Sequence, residues 1–384
     1  MKILHIISTN GLSGAEKHLK HLLPGMSSYG IQCELLIIHP VSAIKKLSAF
    51  KEEFSTSGIK VDEIITENPF SLKVLSKINA HLRINNISVV HTHLSKTDLL
   101  ASIIKQFYFK QLFIISTRHG YREKTLVKYS PENYKITYDL FYYATKYTFG
   151  KINKNISISK GISQLFINFK LTKEFFPVIH HGVDVAPVSL IDENLFRKSS
   201  HQIVIVGRLE AYKGHQLVIE AMPLITKKFP DVALLIIGNG SHMQTLKNIA
   251  IENGVSNNVF FMGFQNDPYS FVANSDVVVV PSLFEPFGLV FIEAMGLKTP
   301  IVCFDVPAGN ELIDNKNGCL VEKFNIIKLA DKIIFLLQNP EECKLIAELA
   351  YQEYLRKYST AVMVKNTANF YHSLNIIKTL AVEA

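Results

Sequence analysis

Short apolar runs separated by longer amphipathic stretches recur along this chain. Residues 3–7, 34–38, 89–91 and 113–116 are apolar runs of strand length, while 15–29 and 72–85 carry apolar residues at helical spacing. After about residue 200 the pattern restarts. Residues 201–207 read as a strand ending in glycine, and 232–238, 259–262, 277–280 and 301–304 follow with helical stretches between them. Strands alternating with helices predict parallel sheets covered on both faces. Two such series predict an α/β chain of two doubly wound domains. The boundary is expected between about 183 and 200, where Gly182-Val183-Asp184 leads through Pro187 into a polar stretch ending at Lys198-Ser199-Ser200. Ligand sites in such sheets lie outside the carboxyl ends of the strands, so a cleft lined by loops of both domains is the expected place for chemistry.

Composition agrees with folded α/β domains. The chain has 384 residues, of which 48% are hydrophobic and 19% charged, a balance opposite to that of disordered chains. Four cysteines, at 33, 303, 319 and 343, form no CxxC, which fits a reduced cytosol better than a disulfide or zinc framework. The first apolar run is too short for a signal peptide, no run approaches the length of a membrane span, and a cytoplasmic protein is expected. The net charge is +8, and +7 of it falls between Lys105 and Lys154, a stretch that also holds Phe107, Tyr108, Phe109, Tyr142, Tyr143 and Tyr147. Basic residues interleaved with aromatics suit an anionic membrane surface or a nucleic acid, and equally a solvated helical face over an aromatic core.

The chemistry-bearing motifs sit mostly at strand ends. P-loop, GxGxxG, HExxH, GxSxG and Asp-x-Asp patterns are all missing. Gly11-Leu12-Ser13-Gly14-Ala15-Glu16 joins the first strand to the first helix, where glycine lets a ligand approach the backbone and a helix start offers N–H groups to an anion. Arg208 and Lys213, in a loop after the strand ending at Gly207, suit a diphosphate, or are two solvated cations. The most specific motif is the run 281–294, in which Glu285 is placed at a loop tip and Glu293 about two turns into an apolar helix, where it needs a partner. N–H groups near Gly288, Leu289 and Val290 could hold a phosphate. Among the histidines, His91 and His93 have no adjoining acidic or cysteine ligand, so no metal is expected. His119, followed by Gly120 at a strand end, is the better functional candidate, and His180-His181-Gly182 closes a third region.

In this order the motifs resemble the retaining GT-B glycosyltransferases of family four (glycosyl transferases group 1), over almost the whole chain. They are the Gly-rich turn with Ala15-Glu16, His91-Thr92-His93, Thr117-Arg118-His119-Gly120, Gly182-Val183-Asp184, Gly207-Arg208-Leu209 with Lys213-Gly214, and Glu285-x7-Glu293. The resemblance implies two Rossmann-like domains facing a central cleft: an acceptor domain over 1–185, a nucleotide-sugar domain over 186–362, and a terminal helix over 363–384 returning to the first. It implies that Arg208 and Lys213 hold the donor diphosphate and stabilise its charge as it leaves. Glu293 would accept from the ribose hydroxyls. Glu285 and His119 would lie at the donor sugar, and Gly14 near the phosphates. Phe287, Gly288 and Leu289 would complete the donor site. The segment 307–311, Pro-Ala-Gly-Asn-Glu, departs from the family's common Gly-Gly turn.

The expected activity is transfer of a hexose or N-acetylhexosamine from a nucleotide sugar, UDP-linked, to a lipid-linked or surface-glycan acceptor in lipopolysaccharide, capsule or exopolysaccharide synthesis, without a metal or other cofactor. An anionic membrane surface is an expected partner and nucleic acid is not. A GT-B nucleotide-sugar epimerase, which needs no acceptor, and a basic nucleic-acid-binding protein are the competing readings; the latter leaves the glutamate motif without a role.

Overall fold

The computed structural model describes residues 1–122, 135–185 and 199–374. It divides into two compact units, Met1–Gly182 with the segment from Thr360 onward, and Val183–Ser359. Both limits fall three residues ahead of the 185/186 and 362/363 of the sequence reading. The reason is local: the Val183 N–H donates to Tyr358 O at 3.1 Å and Val183 bridges Ser359, which ties the start of the second unit to its end.

The first unit is a six-stranded parallel sheet: β1 (Lys2–Ser8), β2 (Gln32–His39), β3 (Lys60–Ile65), β4 (Val89–His93), β5 (Phe113–Arg118) and β6 (Lys154–Ser157). Its helices are α1 (Gly14–Leu22), α2 (Ile44–Thr56), α3 (Leu72–Ile84), α4 (Ser95–Phe107), α5 (Leu140–Phe149) and α6 (Lys160–Asn168). The order is β3-β2-β1-β4-β5-β6, so the chain starts in the middle, runs to one edge and returns to build the other. The single helix expected over 15–29 is instead α1 followed by a 3-10 stretch, Leu23–Tyr29. Pro24 lacks the N–H that an α-helix would need there.

The second unit repeats the plan with β7 (Gln202–Val206), β8 (Ala233–Ile237), β9 (Val259–Gly263), β10 (Val277–Val280), β11 (Ile301–Phe304) and β12 (Cys319–Val321). The helices are α7 (His215–Thr226), α8 (Met243–Glu252), α9 (Tyr269–Ala273), α10 (Leu289–Gly296), α11 (Gly309–Leu312), α12 (Ile326–Gln338) and α13 (Pro340–Lys357). The order β12-β11-β10-β7-β8-β9 again reverses beside the first strand. The central strands are buried on both faces, which explains their unbroken apolar runs, such as the four valines of β10. A last helix, α14 (Thr360–Ser373), belongs to the first unit. Its Met363, Val364, Ala368 and Tyr371 share a core with Leu19, Leu22 and Met26.

In each sheet the two strands flanking the reversal, β1 with β4 and β7 with β10, carry the sequence motifs on the loops after them. This is the place where a doubly wound sheet opens a crevice for a ligand.

Candidate functional site

In the second unit the loops after β7 and β10 are joined to each other. The Leu283 N–H donates to Tyr212 O at 2.8 Å. Gly214 has φ +74°, and a Cβ there would stand 1.9 Å from Pro281 O. Only glycine allows the two backbones this close. The contact sets Lys213 against the glutamate motif: its Nζ lies 2.6 Å from Glu285 Oε2, which also accepts from Ser282 Oγ at 3.1 Å. Glu285 is therefore not at an open loop tip. It is 9% exposed, and an ionised carboxylate at that depth needs the lysine and the hydroxyl as partners. Arg208 is exposed, with its guanidinium donating to the Tyr212 hydroxyl at 2.5 Å.

The chain then turns through Gly288, at φ +85°, into α10. A Cβ on Gly288 would meet Phe291 Cδ2 at 2.6 Å and Glu285 Cγ at 2.8 Å, so this glycine fits both its dihedral and its neighbours. Leu289 opens the helix, half-buried. Glu293 lies one turn in rather than two, 4% exposed, and accepts from the Tyr269 hydroxyl at 3.2 Å. Burial, with Glu293 alongside, drives the Tyr269 pKa far up and keeps the hydroxyl a donor. The Phe287 side chain is buried, its ring 6.2 Å from that of Tyr358, so the side chain is core. His215, the first residue of α7, is 1% exposed and has no hydrogen-bond partner among the described residues on either ring nitrogen. Burial, then the charges of Lys213 and His242, lower its pKa to about 3.

In the first unit, six histidines converge at the carboxyl ends of β1, β4 and β5. Sheet register sets His5 beside His91. His5 Nδ1 is 3.0 Å from His93 Nε2, and His93 Nδ1 is 3.0 Å from His119 Nε2. His91 is held on both sides, by Tyr371 Oη at 2.5 Å and Thr117 Oγ1 at 2.7 Å. The His18 ring, from α1, lies 5.2 Å from that of His119 and 4.6 Å from that of His181. Burial lowers all these pKa values, those of His5 and His18 to about 3, so the rings are neutral. Gly14 opens α1, and the space a Cβ would take there is empty. Not every N–H at that helix start is open to an anion, because the buried Glu16 carboxylate accepts from Ser13 N at 2.8 Å.

Arg208, Lys213, Glu285 and Gly288 thus lie on adjoining loops of one unit, with Leu289 and Glu293 on the helix that follows, and in the other unit Gly14 lies at the start of α1 and His119 after β5. The sequence reading missed His5, His18, His215 and Tyr269. The signal available for His5 was a polar residue in the middle of the apolar run 3–7. The basic stretch is corrected in part. Arg118 is buried, 2.6 Å from Asp98 Oδ2, with its guanidinium over Phe149. Arg122 pairs with Asp139. Lys124 and Lys128 lie outside the described residues.

Comparison with known proteins adds two family matches in succession, the model described as Glycosyltransferase Family 4 over residues 12–187 and that described as Glycosyl transferases group 1 over 189–353. A poly(ribitol-phosphate) alpha-N-acetylglucosaminyltransferase of Staphylococcus aureus is 33% identical over 170 residues, 44% of this chain and 34% of that protein. A poly(glycerol-phosphate) alpha-glucosyltransferase of Bacillus subtilis is 28% identical over 273 residues, 67% of this chain and 40% of the relative. The chain thus spans less than half the length of both. Among solved structures, the Anabaena protein HepE in complex with UDP-glucose superposes with a TM-score of 0.80 at 20% identity, covering 97% of this chain and all of that one. That likeness is one of fold: two Rossmann-like units of the GT-B type.

Proposed function

Because this chain belongs to the glycosyl transferases of group 1, we propose that it moves a hexose or N-acetylhexosamine from a UDP-linked sugar to a lipid-linked or surface-glycan acceptor, with retention of configuration. The observation that carries the proposal is the joined pair of loops after β7 and β10, which sets Lys213 against Glu285, with Arg208 on the same loop and Glu293 on the helix that follows, where Tyr269 donates to it. In the reaction the bond from the anomeric carbon to the phosphate oxygen breaks and its electron pair leaves with the diphosphate. The acceptor oxygen bonds to the same face of that carbon, and its proton passes to the departing phosphate oxygen. Charge builds on the diphosphate, and fixed cations stabilise it most when they are already positioned. Glu285 holds the Lys213 ammonium in position before an anion arrives. Glu293, already accepting from the Tyr269 hydroxyl, is an acceptor for ribose hydroxyls. Gly288 and Leu289 offer backbone N–H groups at a helix start, where the dipole favours phosphate. His119 serves the donor sugar and Gly14 the approach of its phosphates. The UDP-glucose bound by HepE and the glycosyl transfer named for the S. aureus and B. subtilis relatives support this donor and acceptor class.

The proposed setting is the cytoplasmic face of an anionic membrane. Among the described residues no helix is long and apolar enough to cross a bilayer. Helix α5 instead presents Leu140, 85% exposed, Tyr143, 57% exposed, Lys146 and Tyr147 at spacings of three and four, with exposed Phe107 and Tyr108 at the end of α4. Such a face lies in a headgroup layer. Flotation with anionic but not neutral vesicles is the expected result, and association with neither removes the membrane from the proposal.

The activity is tested by presenting UDP-sugars with and without acceptor glycans to the wild-type protein and to Arg208→Ala and Glu285→Ala. Transfer that falls at least about 100-fold in both variants is expected, the scale for losing one preorganised charge-stabilising group. Near wild-type turnover in both would overturn the site. Conversion of the sugar without acceptor would replace transfer by epimerisation.

A further inference from the structure

From the histidine cluster of the first unit we infer that His18, His93 and His119 form a binding site for one divalent transition-metal ion. One ring nitrogen from each lies within 4.8 Å of the others. His93 Nδ1 and His119 Nε2 are 3.0 Å apart. A tetrahedral ion with metal–nitrogen bonds of about 2.0–2.1 Å needs roughly 3.3 Å between ligand nitrogens, so the site requires tenths of an ångström at that pair and an inward rotation of His18.

A second triad, His5, His91 and His93, meets the same spacing. It is the weaker set, because both nitrogens of His91 are engaged by Tyr371 and Thr117. In the chosen triad, Nδ1 of His18 is buried without a hydrogen-bond partner among the described residues, and His18 is only 4% exposed. Buried polar atoms left in that state are costly and call for an explanation. An ion supplies one.

The tautomers also balance. A neutral imidazole carries one N–H. When His93 gives its Nδ1 lone pair to the metal, its proton sits on Nε2 and donates to His5 Nδ1 at 3.0 Å. That is the supporting bond that metal-binding histidines generally make through their other nitrogen. Three imidazoles with no carboxylate or thiolate suit zinc, cobalt, nickel or copper and not magnesium or calcium. The fourth position is open to water or to His181, whose ring lies 5.3 Å from that of His119. His119 is half-buried, which gives the ion a way in. The inference needs only residues of the first unit and stands whether or not the chain transfers a sugar.

The test uses the full chain, stripped with a chelator and titrated with cobalt(II) alone. One equivalent giving the intense visible absorption of tetrahedral cobalt, bleached by one equivalent of zinc, is expected. His18→Ala and His119→Ala should each weaken binding at least about 100-fold, while His372→Ala, on the exposed face of α14, leaves it unchanged. The wild-type spectrum does not depend on whether any variant folds. Stoichiometric zinc should also raise the wild-type melting temperature. No tetrahedral band, or a band that survives in folded His18→Ala, overturns the inference.

Discussion

His215 offers a quantitative check on the second unit through acid. Its imidazole is buried at the start of α7 without a hydrogen-bond partner among the described residues, and burial together with Lys213 and His242 lowers its pKa from 6.5 to about 3. The folded state therefore keeps this ring neutral while the unfolded chain takes up a proton below pH 6.5. With the folded pKa depressed, the stability contribution is complete above pH 6.5 and is lost as pH falls toward 3. Linkage gives about 1.4 kcal/mol per pH unit in that window. Relative to pH 7.5, the loss is about 1.4 kcal/mol at pH 5.5 and on the order of 4 to 5 kcal/mol by pH 3. Replacing the ring by a non-titrating side chain, His215→Gln, removes this one slope and leaves every other titrating group in place. Urea unfolding followed by far-ultraviolet circular dichroism, chosen because the chain has no tryptophan, should give variant and wild-type stabilities that converge or cross as pH falls. The difference between them should change by the stated amount per unit. Parallel pH profiles would show that the ring is solvated or charged in the folded protein and would refute the reasoning.

Other substitutions test the remaining contacts. Lys213→Ala leaves Glu285 with Ser282 alone, and should destabilise by about 2 kcal/mol, below the roughly 3–5 kcal/mol for breaking a fully buried pair because both side chains keep some solvent contact. A double-mutant cycle with Glu285→Gln should recover a coupling of about 1–3 kcal/mol. Gly288→Ala brings a methyl group 2.6 Å from the Phe291 ring at a positive φ, so a loss of roughly 1–3 kcal/mol in thermal unfolding is expected together with lowered donor affinity. Arg118→Met strands the Asp98 carboxylate, which is 1% exposed, and should cost about 3–5 kcal/mol in urea unfolding; a cost near zero would put Arg118 on the surface.

What the sequence made legible follows from which surfaces each segment buries. Strands covered on both faces must be apolar at every position, so β1, β7 and β10 stand out as continuous runs. Three of the four edge strands do not. β3 buries fully only Ile64 among Lys60, Asp62 and Glu63, β6 has four residues and β12 three, and none carries a period long enough to read. The same distinction governs the sites. Arg208, Lys213, Glu285 and Glu293 were legible because they follow strand ends, where a parallel sheet exposes its loops. The burial of Glu285 was not, because it depends on the approach of Gly214 to Pro281, a contact between loops far apart in the chain. His91 and His93 announced themselves as a pair, yet their partners could not be found by looking nearby. His5 faces His91 only because the strand order sets β4 beside β1, and His18 joins them only because α1 follows that strand. A histidine inside an apolar strand run must find a partner on a neighbouring element. In a doubly wound sheet the first strand has two neighbours, the next strand in sequence and the one after the reversal. His5 therefore asks for a polar residue on β2 or β4, and His91-Thr92-His93 answers on the strand that the topology brings alongside.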